Sequence, residues 1–145
     1  MFLGQYQHSL DNKGRLTIPV RYRELLAEGA YITQGFDRNL MVLTTDAFQS
    51  IAQRVNRMSV TDPEARSLRR LIYSHGEQVE VDKAGRILIP QFLREAAGLD
   101  GEATLVGAGD FFEIWSPATW EEQSVQLQDA DANAQRFTAF DISSG

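Results

Sequence analysis

The sequence has no cysteine and only two histidines, His8 and His75. Disulfides, zinc fingers, iron–sulfur clusters and thiol nucleophiles are therefore excluded. No His-x-x-x-His pair exists, so a metal would rest mainly on carboxylates, and no metal site is expected. The longest unbroken apolar run is four residues, Leu40 to Leu43, against the roughly 20 that a membrane-spanning helix needs. Met1 to Arg15 holds no basic stretch followed by an apolar one. No secretory signal is expected, and the expected location is the cytoplasm. There is no nucleophile elbow and no Gly-rich phosphate loop. Two carboxylates could in principle hydrolyse a glycoside, but nothing in the sequence selects a pair. An enzyme is not expected, nor a cofactor, a small-molecule substrate or a membrane partner.

What is present is an ordinary globular composition. The 145 residues are 43% hydrophobic and 23% charged. A chain of this size buries roughly 68–70% of its unfolded surface, enough for a core without staples. The net charge of −6 is unevenly placed: residues 1–72 carry a net +3 and residues 73–145 a net −9. Local potential governs binding more than the total does, so a basic first half and an acidic second half are the relevant facts.

The chain also repeats itself. Asp11-Asn12-Lys13-Gly14-Arg15-Leu16-Thr17-Ile18-Pro19 matches Asp82-Lys83-Ala84-Gly85-Arg86-Ile87-Leu88-Ile89-Pro90, five of nine positions being identical at an offset of 71. Arg23-Glu24 matches Arg94-Glu95 at the same offset, and Gly35 matches Gly107 at 72. Repeats of this kind outrank local pattern in deciding a fold. They divide the chain into a first unit at 5–48, a helical connector at 49–75, a second unit at 76–120 and an acidic tail at 121–145.

Within each unit the local signals agree. Residues 5–10 and 77–81 are short strand candidates. Asp11 and Asp82 are turn formers, able to bond the backbone two residues on, while Gly14 and Gly85 accept positive φ. Returning strands run at 16–18 and 87–89, ended by Pro19 and Pro90. Helices follow at about 20–28 and 91–97, with Tyr22, Leu25, Leu26, Phe92, Leu93 and Ala96 expected on the inner face. Strands are expected at 30–34, 40–44, 103–107 and 111–115. Further helices are expected at 46–58, from Asp62 to near Ser74, and from Ser116-Pro117 to about 128, followed by loose chain. Phe137, Phe140 and Ile142 are the apolar residues of that tail able to dock. Neither unit can bury much core alone, so an α+β fold is expected, with the units paired about a pseudo-two-fold axis into one small barrel.

The doubled Asp-x-x-Gly-Arg-x-x-x-Pro pattern resembles the SpoVT/AbrB-type DNA-binding module. Two tandem copies, with the start Met-Phe-Leu-Gly, resemble the MraZ family over about residues 1–120. The resemblance implies a swapped-hairpin-type β-barrel, a ring-shaped homo-oligomer and a bacterial transcriptional regulator. It also implies double-stranded DNA as partner, through repeated promoter elements of the division and cell-wall gene cluster, and association with the nucleoid. Residue chemistry supports part of this. A two-stranded hairpin fits the major groove, where Arg15 could grip a phosphate or the O6 and N7 of a guanine, and Lys13 could add a phosphate contact. The first turn is expected to be the main contact. Lys83 and Arg86 lie in the acidic half; Arg86 either assists or pairs with an acidic neighbour. The acidic half and tail are expected on the side opposite Lys13 and Arg15.

Duller readings stand beside these. Arg66, Arg69 and Arg70 form a helix face that is usually solvated. Trp115 and Trp120 suit a core or a subunit interface. Asp11 and Asp82 could be imagined as an aspartic-protease dyad, but there the glycine follows two residues after the aspartate, not three. An antitoxin-like protein-interaction module uses the same turn, typically in a single copy. Pyruvoyl-dependent decarboxylases on a related barrel mature at a Gly-Ser bond, and this sequence contains none.

Overall fold

The computed structural model describes residues 1–142, and its two repeats share one order of elements. The first comprises β1 (Gln5–Ser9), β2 (Arg15–Thr17), α1 (Val20–Leu25), β3 (Ala30–Gln34), β4 (Leu40–Thr44) and α2 (Thr45–Asn56). Helix α3 (Pro63–Ser74) leads to the second: β5 (Glu77–Val79), β6 (Arg86–Leu88), α4 (Gln91–Ala96), β7 (Glu102–Gly107), β8 (Phe111–Trp115) and α5 (Pro117–Leu127). Helix α6 (Ala130–Arg136) follows.

Local chemistry sets these boundaries. Pro19 and Pro90 occupy the N-cap positions of α1 and α4; lacking an N–H, they also end the strands before them. The longer helices begin on side-chain caps. Thr44 Oγ1 accepts from Ala47 N at 3.2 Å, Asp62 Oδ1 from Glu64 N at 2.9 Å and Ser116 Oγ from Thr119 N at 3.2 Å. Pro63 and Pro117 then open α3 and α5, where no N–H is needed.

Six strands form one antiparallel sheet in the order β1-β7-β8-β4-β3-β5. The units exchange their first strands: β1 pairs with β7 of the second unit, and β5 with β3 of the first. Strands β4 and β8 join the units at the middle, with Val42 opposite Phe112. Strands β2 and β6 pair only with each other, as a separate two-stranded ribbon. The α+β class holds, and the expected small swapped-hairpin-type barrel is corrected to an open, mixed arrangement. Strands β1 and β5 each end the sheet, and three-residue strands stopped by proline are too short to bridge them.

The core lies between ribbon, sheet and short helices. Tyr22, Phe2 and Phe112 form its aromatic centre, with Tyr22 edge-on to Phe2 at 5.0 Å and 4.8 Å from Phe112 between centroids. The Tyr22 hydroxyl donates to the Leu3 carbonyl at 2.7 Å. Burial raises the pKa of that phenol from 10.0 to about 12, with the Tyr6 hydroxyl adding to the shift. The inner helix faces are narrower than expected. Tyr22 with Leu26, and Leu93 with Ala97, are buried, but Leu25 and Phe92 are 37% and 44% exposed. A six-residue helix has room for one i, i+4 stripe against the core.

The tail also departs from expectation. The segment after 128 is helical because Asp129 caps it, its Oδ1 accepting from Ala132 N at 3.1 Å, and because three alanines favour a helix. Phe137, Phe140 and Ile142 do not dock on this chain: they are 47%, 64% and 90% exposed.

Candidate nucleic-acid interface

Each Asp-x-x-Gly-Arg turn is closed by its own aspartate. Asp11 Oδ1 accepts from the backbone N–H of Lys13 at 3.0 Å and of Arg15 at 2.8 Å. Asp82 Oδ1 accepts from Ala84 and Arg86 N–H, both at 2.9 Å. The backbone closes the same loop, with Gly14 N–H donating to Asp11 O at 3.1 Å and Gly85 N–H to Asp82 O at 3.0 Å. Gly14 and Gly85 sit at φ +90° and +80°, a region that a side chain disfavours. The Arg15 backbone N–H, helped by its guanidinium, holds the Asp11 carboxyl below its ordinary 3.8; Arg86 does the same for Asp82.

The ribbon sets where the arginines point. Leu16 lies opposite Ile87 and both are buried; each contributes about 1.5–3 kcal/mol by leaving water. Alternation along a strand then sends Arg15 and Thr17 of β2, with Arg86 and Leu88 of β6, to the outer face. Arg15 is diagonal to Arg86 there, since Arg15 pairs with Leu88 and Arg86 with Thr17. Arg15 bonds Asp11 Oδ2 through Nε at 2.7 Å, with its side chain 37% exposed. Arg86 is more engaged: Nε and Nη2 both lie 3.2 Å from Asp82 Oδ2, and Nη1 lies 4.0 Å from Asp11 Oδ2. This last approach crosses from one repeat to the other and places the two turns side by side.

Two further arginines lock the pair together. Arg23 Nε donates to Ile18 O at 2.7 Å, and Arg94 Nε to Ile89 O at 3.0 Å. The Arg23 guanidinium lies over Gly85, and that of Arg94 over Gly14. Backbone bonds follow the same crossing: Ile18 N–H donates to Gly85 O at 2.9 Å, and Ile89 N–H to Gly14 O at 2.8 Å. The helix of each unit thus buttresses the turn of the other. The sequence pairs Arg23-Glu24 with Arg94-Glu95 but does not reveal this role; their common offset is the one signal of it.

All eight residues singled out in the turns meet at this corner. Lys13 and Lys83 are exposed, and neither has an ion-pair partner among the described residues. Each turn carries two cations and one carboxylate, so the corner is net positive. His8, half-buried on β1, is held below its ordinary 6.5 by burial and then by the Arg23 charge. Arg66 and Arg69 serve the helical connector instead, donating to Val60 O at 2.8 Å and Val55 O at 3.2 Å. Trp115 is buried against Trp120, whose indole N–H donates to Gln5 Oε1 at 3.2 Å.

The expected segregation of acid from base is corrected by the strand exchange. Glu102 pairs with Ser9, and Gly101 O accepts from Leu10 N–H at 2.9 Å, so acidic-half residues stand beside the Asp11 turn. Helix α5 is tied by Trp120 to Gln5, at the other end of β1, about 13 Å along the strand.

The family and its relatives agree in sequence. The family model described as "MraZ protein, putative antitoxin-like" matches twice, over residues 1–71 and 72–142. A Roseiflexus castenholzii protein named Transcriptional regulator MraZ is 44% identical over 137 residues, 94% of each chain. Relatives of the same name from Herpetosiphon aurantiacus and Dictyoglomus thermophilum are 41% and 48% identical, covering 98% and 84% of this chain and 100% and 84% of their own. Among solved structures, a solution structure from Pyrococcus horikoshii aligns with 81% of this chain and 97% of its own at a TM-score of 0.33 and 13% identity.

Proposed function

The chain belongs to the MraZ family, and from that premise we propose that it is a sequence-specific DNA-binding transcriptional regulator. The observation that carries the reading is the shared corner: two basic turns from separate repeats stand together, bridged by the 4.0 Å approach of Arg86 to Asp11. A ribbon of two strands is narrow enough for the major groove. With Nε of Arg15 held by Asp11, the terminal nitrogens of its fork are the part that reaches a guanine edge or a phosphate. Arg86, bound by one carboxylate and approached by a second, is the supporting contact. Lys13 and Lys83 supply phosphate contacts that position without selecting sequence.

One corner makes few contacts, so its affinity depends on repetition. A homo-oligomeric ring would offer the same corner to successive promoter repeats and convert weak grips into avidity. Repeated elements upstream of the division and cell-wall gene cluster are the proposed target, read in the cytoplasm on the nucleoid. The acidic second half moderates non-specific attraction and leaves specificity to the corner.

A gel-shift titration on promoter DNA from the chain's own operon, varying the number of repeats, tests this. Arg15→Ala is expected to weaken binding by about 1–3 kcal/mol per engaged site, and Arg86→Ala by less. Unchanged affinity in Arg15→Ala would overturn the assignment. The alternative is an antitoxin-like protein-interaction module, in keeping with the antitoxin-like character of the matched family. Capture of a stoichiometric protein partner, together with no DNA affinity, would support that reading instead.

A further inference from the structure

The outer face of the ribbon carries one residue that neither the fold nor the charge of the corner explains. Four side chains stand on that face, with Arg15 opposite Leu88 and Thr17 opposite Arg86. The offset of 71 makes Leu88 the counterpart of Thr17, just as Arg86 is the counterpart of Arg15. The duplicated face thus keeps its arginines and exchanges a threonine for a leucine. Arg15, Thr17 and Arg86 are half-buried, whereas Leu88 is 57% exposed.

Local chemistry does not call for that leucine. Ile87 supplies the burial at this point of the strand, and Leu88 takes no part in the core. The β-branched Thr17 suits both a strand and a wet face; Leu88 suits the strand less and water least. Single exposed leucines are ordinary, but this one directly faces the arginine that carries the DNA-binding reading. Directly opposed residues hold their Cβ atoms about 4.5–5.5 Å apart, and successive bases of a strand are about 3.4 Å apart. A base edge touched by Arg15 and one touched by Leu88 are therefore neighbours. The apolar group that marks a base pair in the major groove is the 5-methyl group of thymine.

We propose that Leu88 is a specificity-determining residue, packing against the 5-methyl group of a thymine beside the base that Arg15 contacts. The inference rests on the DNA-binding reading above. It adds what the basic side chains cannot supply, since a cation grips a phosphate or a guanine edge and does not mark a methyl group. It also makes the two ends of the ribbon unequal: an apolar side chain accompanies Arg15, and the Thr17 hydroxyl accompanies Arg86. The contact involves no charge, so it releases no counterions and leaves the salt dependence of binding unaltered.

A thymine scan of promoter DNA from the chain's own operon tests this with the full-length protein. Each thymine position in turn is replaced, in every repeat, by deoxyuridine, which lacks only the methyl group. The wild type is expected to lose affinity about fourfold per engaged repeat at one position, the scale of burying a single methyl group. Leu88→Ala, with an unchanged urea midpoint, is expected to bind the unmodified duplex at least that much more weakly. It should keep the wild-type salt slope and be indifferent to deoxyuridine at that position. Wild-type binding that ignores deoxyuridine everywhere, or an equal methyl effect in the wild type and Leu88→Ala, would overturn the proposal and leave the DNA-binding reading intact. So would a Leu88→Ala loss that leaves thymine discrimination in place, the sign of a residue that acts through folding or assembly. No binding by the wild type would overturn the underlying reading, and this inference with it.

Discussion

At the residue scale the molecule turns on a few polar groups with defined partners. Each turn aspartate accepts two backbone N–H groups and holds a guanidinium, so one residue type both shapes the loop and aims its cation. The depressed Asp11 and Asp82 pKa values mean that this contribution is present above pH 4 and is lost as pH falls through 3.8 and below. Tyr22 limits the other end of the range. Its phenol is raised from 10.0 to about 12, so burial of the neutral form favours folding below pH 10 and that contribution disappears as pH rises from 10 towards 12. Urea midpoints measured across this range are expected to fall on the alkaline side for the wild type and much less for Tyr22→Phe. At neutral pH the variant should cost about 1 kcal/mol, the worth of the hydrogen bond to Leu3.

At the element scale the two turns look alike but tolerate change differently. A Cβ on Gly14 would stand 2.7 Å from the Ile89 carbonyl oxygen, a backbone atom that also anchors Arg94. On Gly85 it would meet the Arg23 guanidinium, the far end of a flexible side chain. Gly14→Ala is therefore expected to lose about 2 kcal/mol or more from strain at positive φ plus the clash. Gly85→Ala should lose less, and chemical denaturation would show the difference. The same elements show what was legible in the sequence. Turns, caps and strand-ending prolines could be read because they act within a few residues of themselves. The exchange of β1 and β5, the open sheet and the clamp of Arg23 and Arg94 could not, because they join residues between about 45 and 100 positions apart. Leu25 and Phe92 misled because, on a helix of six residues, periodicity alone does not fix which apolar stripe faces inward. The tail misled because acidic composition hid a capped, alanine-rich turn.

At the scale of the whole molecule, tandem duplication places two copies of one turn at a single corner. The first half contributes Arg15, bound by a single carboxylate where Arg86 is bound by one and approached by a second, and the second contributes Arg94, which braces the first turn. Arg94→Ala is thus expected to lower DNA affinity through a residue that belongs to the acidic half, with loosening visible in the amide exchange of Lys13 and Gly14. The most direct check on the central claim is the slope of log Kobs against log salt for promoter binding, compared between wild type and Lys13→Ala/Arg15→Ala. If these side chains neutralise phosphates, the slope becomes shallower by about one unit for each phosphate left without its cation. A variant that binds with the wild-type slope and affinity would contradict the account.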